Sequence, residues 1–323
     1  DTTLVASAGT PGNVAMTLTG IENDDSFVLT GTVTGGTSGG AGDGGDAINV
    51  APKTDSGSDV LNLTVDGNIT GGDASGANTS GDGLDAASFE TINITADSDT
   101  TFAGGTVGTA GNSVSVGANA TITIDGEGDV DLGTINAAAG AAADDLTVNA
   151  SDLDGGLIVR TGDGNDKITG SAKADDLAAG QGVDTLTGGE GADKFNFVAD
   201  GTDADSDAAT LDVITDFTAG SGSSADQILA FNDSVGGTAV NLTLEEITAA
   251  NQTAIDSDTS LANAVTQAFT QLGGNGEATA FTYDGETYVA AAITGGGTYA
   301  AGDDLVVQLT GVEVADLVQD NFV

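Results

Sequence analysis

The chain has 323 residues, and its 50 acidic residues against 5 basic ones give a formal net charge of −45. This charge argues against nucleic acid or an anionic membrane as a direct partner, because both would be repelled. The sequence contains no Cys and no His, which excludes disulfides, thiol chemistry, histidine base catalysis and the usual zinc sites.

The acidic residues are mostly Asp, which accounts for 41 of the 50. Asp suits turns and calcium cages better than helices, and so dense a charge needs counterions. The alternative is a solvated acidic surface of the halophile kind. Because hydrophobic residues make up 39% of the chain and the mean hydropathy is +0.04, the charge alone does not indicate disorder.

Residues 1–160 predict short β-strands. Several segments place apolar residues two apart, which indicates half-buried strands: VLNLTV at 60–65, TINIT at 91–95, SVSV at 113–116, TITID at 121–125, DVDLG at 129–133 and DLTVN at 145–149.

No helical pattern separates these segments, so a parallel β-solenoid fits them best. Its inward residues would be Leu61, Leu63, Ile92, Ile94, Ile122, Ile124, Leu146 and Val148. An immunoglobulin-like sandwich over roughly the first 50–80 residues is the main alternative.

Three Gly-Asp turns stand out within this region: GDGGDAI at 42–48, GDGLDAA at 81–87 and GEGDV at 126–130. Asp46 and Asp85 are candidate calcium ligands. Neither has an adjacent repeat to complete a cage, so an ordinary turn explains them equally well.

Residues 161–196 contain four consecutive nonapeptides, TGDGNDKIT, GSAKADDLA, AGQGVDTLT and GGEGADKFN. Each has Asp at its sixth position and an apolar residue at its eighth. A nine-residue period of strand plus Gly-rich turn predicts a calcium-binding β-roll rather than a flexible linker. The sixth-position carboxylates are Asp166, Asp175, Asp184 and Asp193, and the apolar residues are Ile168, Leu177, Leu186 and Phe195.

Consecutive repeats of such a roll lie on opposite edges, so we expect the first repeat to pair with the third and the second with the fourth. The second edge is the weaker prediction, because Ser171 and Lys173 replace glycines in repeat two. The remaining predicted site residues are the turn glycines, which supply positive φ, and one turn carboxylate: Gly162, Gly164, Gly180, Gly182, Gly189, Gly191 and Asp163.

The segment after the roll predicts a cap. Leu261, Val265 and Phe269 recur at spacing four and predict a helix that stops at Gly273 and Gly274. FTYDGETYVAAAI and DDLVVQLTGV read as strands that cover the end of the roll. The loop with Asp203, Asp205 and Asp207 begins like an EF-hand but lacks its Gly and distal Glu, so we interpret it as a solvated acidic loop.

The nonapeptides, the DVITDF segment at 212–217, AFTYDGETYV at 280–289 and the terminal LTGVEVADLVQDNFV resemble the C-terminal region of repeats-in-toxin (RTX) proteins exported by type I secretion. The low aromatic content, the Thr/Gly/Ala bias and SFETINITAD make the chain similar to calcium-binding surface-layer proteins of the Caulobacter type. The resemblance implies an uncleaved C-terminal secretion signal of roughly 80 residues, read by an ABC transporter complex. It also implies calcium-triggered folding outside the cell and assembly into a two-dimensional lattice.

We therefore expect an all-β chain in three parts: a β-rich surface region (1–150), a calcium roll (151–198) and a cap with the secretion signal (199–323). Three functions compete: a structural surface-layer subunit, an adhesin or matrix protein of the same secretion class, and the noncatalytic tail of a secreted enzyme. The sequence offers no paired nucleophile and base and no GxSxG elbow, which favours a non-enzyme.

We also expect an extracellular, cell-surface location and no membrane-spanning segment, because no apolar run reaches the roughly 18 to 20 residues required. The expected partners are other copies of the chain and the type I secretion apparatus. Because the sequence opens at Asp1 rather than Met, we expect a processed product or fragment, with the anchor to cell-surface polysaccharide in a part outside this sequence.

Overall fold

The computed structural model describes residues 3–7, 16–22, 25–34, 47–53, 58–71, 82–104, 113–137, 145–198, 204–231, 239–293 and 297–323. The chain divides into two compact units. Unit 1 comprises Asp1–Gly162 with Gly170–Ala172, and unit 2 comprises Asp163–Thr169 with Lys173–Val323. The three-part division expected from the sequence stays a prediction.

Unit 1 is built from short β-strands in the described residues. They are β1 (Thr3–Ser7), β2 (Met16–Ile21), β3 (Ser26–Thr30), β4 (Val33–Thr34), β5 (Ile48–Pro52), β6 (Val60–Asp66), β7 (Ile69–Thr70), β8 (Leu84–Ala86), β9 (Thr91–Ala96), β10 (Thr100–Ala103), β11 (Val114–Val116), β12 (Thr121–Gly126), β13 (Val130–Ala137), β14 (Thr147–Leu153) and β15 (Leu157–Arg160).

These strands pair in parallel. One sheet runs in the order β1-β3-β6-β9-β12-β14, a second runs β2-β5-β8-β11-β13-β15, and β4, β7 and β10 form a short parallel ladder that joins β13. Parallel ladders between strands of successive coils are the mark of a solenoid. The predicted solenoid is therefore confirmed, and the immunoglobulin-like alternative, which requires antiparallel sheets, is wrong for the described strands.

The core of unit 1 is a stack of aliphatic side chains. Leu61, Ile92, Ile122 and Val148 occupy matching register positions on β6, β9, β12 and β14, and all four are fully buried. The other predicted inward residues are buried as well: Leu63, Ile94, Ile124 and Leu146. Alternation along β9 and the first four residues of β12 leaves polar Thr and Asn on the outer face.

Unit 2 begins with the roll and ends with the cap. Its strands are β16 (Lys167–Thr169), β17 (Asp176–Ala178), β18 (Thr185–Thr187), β19 (Lys194–Val198), β20 (Asp212–Ile214), β21 (Gln227–Phe231), β22 (Ala239–Val240), β23 (Thr243–Glu245), β24 (Glu277–Tyr283), β25 (Glu286–Ala292) and β26 (Leu305–Leu309). Its helices are α1 (Ala249–Ile255) and α2 (Leu261–Phe269), with 3-10 turns at Val314–Asp316 and Gln319–Asn321.

The cap continues the sheet of the roll. Within unit 2, β16, β18 and β20 pair in parallel, β26 adds to β20, and β25, β24 and β23 follow. The predicted helix is confirmed as α2. It buries Val265 and Phe269 against Phe281 and Tyr288 of the β24–β25 hairpin. A solenoid end exposes core side chains and unpaired backbone, which this cap covers.

One buried amide helps to fasten the C-terminal residues to the segment that contains Gly220 and Asp226. Asn321 is fully buried. Its Oδ1 accepts hydrogen bonds from the amides of Gly220 (3.0 Å) and Val318 (3.1 Å), and its Nδ2 donates to the carbonyl of Asp226 (2.8 Å).

No helix of the described residues is long and apolar enough to cross a membrane.

We predict that Asn321→Ala destabilises unit 2 by about 2–4 kcal/mol, because the buried carbonyl of Asp226 and two part-buried amides lose their partner. Urea unfolding followed by circular dichroism in saturating calcium measures the loss. Asp320→Ala is the matched control, because Asp320 is exposed, and should stay within about 0.5 kcal/mol of the parent. Equal effects of the two substitutions would contradict this role of Asn321.

Candidate calcium centre

The repeats stack in alternate pairs, as expected. Ile168 of β16 lies in register with Leu186 of β18, and Leu177 of β17 lies in register with Phe195 of β19. All four side chains are buried. The pairing of the first repeat with the third and of the second with the fourth is therefore confirmed, and each edge of the roll carries its own column of turns.

The first edge carries a column of three buried aspartates, which we call the Asp166 column: Asp166, Asp184 and Asp212. The amide of Asp166 donates to Oδ1 of Asp184 (2.6 Å), and the amide of Asp184 donates to Oδ1 of Asp212 (2.8 Å). Each exposes at most 2% of its surface. The amide of Asp212 donates to Ser206 Oγ (2.8 Å), which ends the column.

The second edge carries the Asp175 column: Asp175, Asp193 and Asp226. The amide of Asp175 donates to Oδ1 of Asp193 (2.9 Å), and the amide of Asp193 donates to Oδ1 of Asp226 (2.9 Å). Oδ2 of Asp226 accepts from the amide of Thr218 (2.7 Å), which ends this column. Both edges are built alike, although repeat two carries Lys173 in place of a glycine.

Two members of these columns, Asp212 and Asp226, lie outside the four nonapeptides, and sequence reasoning missed them as ligand candidates. A signal was present, because each stands two residues before a buried apolar residue, Ile214 or Ile228. That is the spacing between the sixth and eighth positions of the repeat. The nine-residue period is interrupted before both of them, so a search for repeats passes over them.

The columns contain carboxylate oxygens that the fold does not satisfy. Oδ2 of Asp193 and Oδ2 of Asp212 are buried and have no hydrogen-bond partner. The Oδ2 atoms of Asp166 and Asp184 are likewise buried and accept no hydrogen bond, although these residues have other partners. A buried carboxylate oxygen without a partner is costly. A hard divalent cation that prefers oxygen ligands supplies the missing interaction.

Pairs of carboxylates together with backbone carbonyls of the turns form a donor set that fits calcium. Among the described residues, no group of three or more acidic side chains is arranged to hold a metal ion by itself. Neighbouring members of one column would share an ion with backbone carbonyls of the stacked turns. In those turns, Gly182 packs against the carbonyl of Gly164, and Gly191 against that of Lys173.

Five of the predicted glycines have positive φ, as the turns require: Gly164, Gly180, Gly182, Gly189 and Gly191. Gly182 is the most constrained. A Cβ at this position would lie 1.6 Å from the carbonyl oxygen of Gly164. Gly162 differs from the prediction, because its φ lies outside the left-handed region and nothing lies within 4 Å of an added Cβ.

The other predicted acidic residues do not join the columns. Asp163 is exposed. Asp85 is half-buried within β8, between the buried residues Leu84 and Ala86, so its side chain points away from the core. It accepts hydrogen bonds from Asn49 Nδ2 (2.5 Å) and the amide of Ala87 (3.2 Å). Asp46 lies outside the described residues.

The interpretation of the Asp203–Asp207 segment as a solvated loop is wrong for the two acids that the structure describes. Asp205 and Asp207 expose only 6% and 8% of their surface. Oδ2 of Asp205 accepts from the amide of Val198 (2.7 Å), and Oδ1 of Asp207 accepts from the amide of Thr210 (2.9 Å). These acids fix a turn by hydrogen bonds to the backbone. Asp203 lies outside the described residues.

Burial and mutual repulsion perturb the acids of both columns. Burial, together with the charges of Asp226 and Asp175, raises the pKa of Asp193 to about 7, against the lowering effect of its hydrogen bond with the amide of Asp175. Burial and then the charge of Asp184 raise the pKa of Asp212 to about 9. The metal-free fold therefore holds protons where calcium would require charge.

Residues 160–195 match the family of RTX calcium-binding nonapeptide repeats, in four copies. These repeats are calcium-binding. The matched stretch contains the stacked turns that carry Asp166, Asp175, Asp184 and Asp193, so these turns belong to calcium-binding repeats. No curated protein matches the chain significantly. Asp212 and Asp226 lie beyond the matched RTX repeats and continue their two columns.

We predict that Gly182→Ala destabilises the roll by about 3 kcal/mol or more, because the new Cβ collides with the carbonyl of Gly164 at a φ that alanine avoids. Thermal unfolding in saturating calcium measures the effect. Gly162→Ala is the control, and it should change stability by no more than about 0.5 kcal/mol. If both variants unfold at the same temperature as the parent, the stacking of the turns is wrong.

We predict that the metal-free chain loses the fold of the roll at neutral pH and regains it as the pH falls, because the fold without calcium requires protons on Asp212 and Asp193. Both folded pKa values are raised above the ordinary value of 3.8. The metal-free fold is therefore most stabilised by these groups below pH 4, and loses that stabilisation as the pH rises through about 7 and about 9. The calcium-loaded protein should show the opposite trend.

Circular dichroism in excess chelator, recorded from about pH 4 to about pH 9, measures the strand signal of the metal-free chain, and the same series in saturating calcium is the control. We expect the metal-free signal to decrease as the pH rises, and the calcium affinity measured by titration calorimetry to weaken below about pH 7. A metal-free strand signal that does not change with pH would contradict the protonation of the buried columns.

Proposed function

We propose that the chain is a structural subunit of a calcium-dependent surface layer on the outside of a bacterial cell. RTX repeat proteins are typically secreted and extracellular. The observation that supports a calcium-dependent fold is the pair of buried aspartate columns, in which carboxylate oxygens such as Oδ2 of Asp193 and Asp212 have no partner. Because these buried oxygens have no other partner, the fold requires a bound calcium ion for its stability.

In this proposal the chain is synthesised where calcium is scarce and folds where calcium is plentiful. Extracellular calcium modules bind with dissociation constants of about 10⁻⁴ to 10⁻³ M, well above the calcium concentration of a cytosol. Inside the cell the columns would remain without ions, and a net charge of −45 would oppose compaction. In this proposal, the type I apparatus exports the chain unfolded, and residues 240–323 contain the signal that it reads.

A structural role agrees with the chemistry of the chain better than an enzymatic one. The sequence has neither His nor Cys, and the buried acids of the roll are committed to the backbone ladders of the two columns. Between a surface layer and an adhesin, the extended β-solenoid of unit 1 suits a repeating lattice. The sequence shows no set of long identical repeats of the kind common in adhesins.

We predict that Asp184→Asn weakens calcium binding by roughly tenfold or more, because Asp184 lies in the middle of the Asp166 column and faces a neighbour on both sides. Asp85→Asn is the matched control, since it removes the same charge from a residue outside the columns, and should change the affinity less than about twofold. Titration calorimetry of the purified proteins measures both. Equal losses would contradict the assignment of the site.

We predict that removing residues 240–323 traps the protein inside the cell, because the truncated chain lacks the proposed export signal. Blots of cells and medium measure export, and electron microscopy of intact cells shows whether an ordered sheet is present. The parent chain should form a sheet that disperses in a calcium chelator. A sheet that survives prolonged chelation contradicts the calcium dependence, and export of the truncated chain contradicts the position of the signal.

A further inference from the structure

The outer face of the first sheet of unit 1 is lined by rows of neutral side chains. Thr91, Thr121 and Thr147 occupy one register position on β9, β12 and β14. Asn62, Asn93 and Asn149 occupy the next outward position on β6, β9 and β14. We call these two rows the neutral face. All six residues are half-buried by their neighbours.

Contacts along the sheet order part of the Asn row. Asn93 Nδ2 donates to Asn62 Oδ1 (2.8 Å), and Asn62 Nδ2 donates to the carbonyl of Asp25 (3.1 Å). These hydrogen bonds hold the two amide side chains in fixed positions. Asn62 and Asn93 therefore have little side-chain entropy left to lose when something covers them.

The charges lie at the ends of the strands. Asp66 ends β6, Asp97 follows β9, Asp125 lies near the end of β12, and all three are exposed. In a chain of net charge −45, close approach of two acidic surfaces costs several kcal/mol for each pair of like charges. A contact between copies is least opposed where two uncharged surfaces meet.

We propose that the neutral face is a contact surface for a second copy of this chain. Two such faces form an isologous contact, in which Thr rows and Asn rows pack against their equivalents and the acidic strand ends stay at the solvated rim. The proposal rests on the lattice function and names a surface by which the subunits meet.

The size of the face suits a lattice. The whole outer face of β3, β6, β9, β12 and β14, with strands about 4.8 Å apart and about five residues long, covers roughly 400 Å², and the neutral face is part of it. A stable pairwise interface buries about 800 Å² on each partner. The contact is therefore weak in an isolated pair and becomes effective when each subunit makes several contacts at once.

Thr123 is the residue with which to test this contact, because it occupies the β12 position between Asn93 and Asn149 in the Asn row. Thr123→Glu places a carboxylate there, and Thr91→Glu does the same in the neighbouring row. Thr134→Glu is the control. It adds the same charge to unit 1 at an exposed position of β13, in the other sheet.

Sedimentation velocity in calcium measures the concentration at which the purified chain associates, and electron microscopy shows whether sheets form. We expect Thr123→Glu and Thr91→Glu each to raise this concentration by about tenfold or more, while Thr134→Glu leaves it within about twofold. Circular dichroism in calcium identifies a variant that fails to fold, and the other face variant then decides.

The outcomes separate this proposal from the lattice function. If the parent dimerises without forming sheets and both face variants remain monomeric, the lattice is wrong and the neutral face stands. If sheets form with the parent and with both face variants alike, the proposed contact through the neutral face is wrong and the lattice function stands. A parent that stays monomeric overturns both. Unchanged self-association with altered binding of purified cell-surface polysaccharide would make the face a glycan site and overturn the proposal.

Discussion

Burial of carboxylates away from water is the constraint on which the rest of unit 2 depends. The turns of the roll stack so closely that the amide of each aspartate reaches the carboxylate of the next coil, as between Asp166 and Asp184. This satisfies the amides and leaves the second carboxylate oxygens of Asp193 and Asp212 without a partner. A buried charge in this position is unfavourable unless a cation or a proton offsets it. Calcium would offset it, and protons would compete with calcium as the pH falls.

The same stacking explains why the repeats are so restricted in sequence. A coil can lie on the one below only if the turn leaves room for the carbonyl beneath it, which Gly182 does for Gly164. The cap then extends the sheet through β26, β25 and β24, and Asn321 fastens the C-terminal residues to the carbonyl of Asp226. The coil that ends the Asp175 column therefore also holds the end of the chain. Asp226 thus takes part in both contacts, through its carboxylate in the column and through its carbonyl at the end of the chain.

Much of this could be predicted from the sequence, because stacking repeats a local pattern. The period of two in TINIT and TITID identified inward residues such as Ile92 and Ile122, and the period of nine identified Asp166 and Asp184. Asp212 and Asp226 were missed because they join the columns through tertiary register after irregular loops, which no fixed spacing encodes. Burial of Asp205 and Asp207 was also missed, since their partners are backbone amides that become available only when the turn has formed. The outward direction of Asp85 depends on the phase of β8, which a GDG turn alone does not determine.

Hydrogen exchange of the backbone amides of the two columns tests the central claim most directly, because these amides are protected only when the coils are stacked. The amides of Asp166, Asp175, Asp184 and Asp193 each donate to a carboxylate of the next coil. At neutral pH and low ionic strength, they should exchange slowly in saturating calcium and rapidly in excess chelator. Loss of strand signal in circular dichroism should accompany this change. Equal protection of these amides with and without calcium would contradict the account.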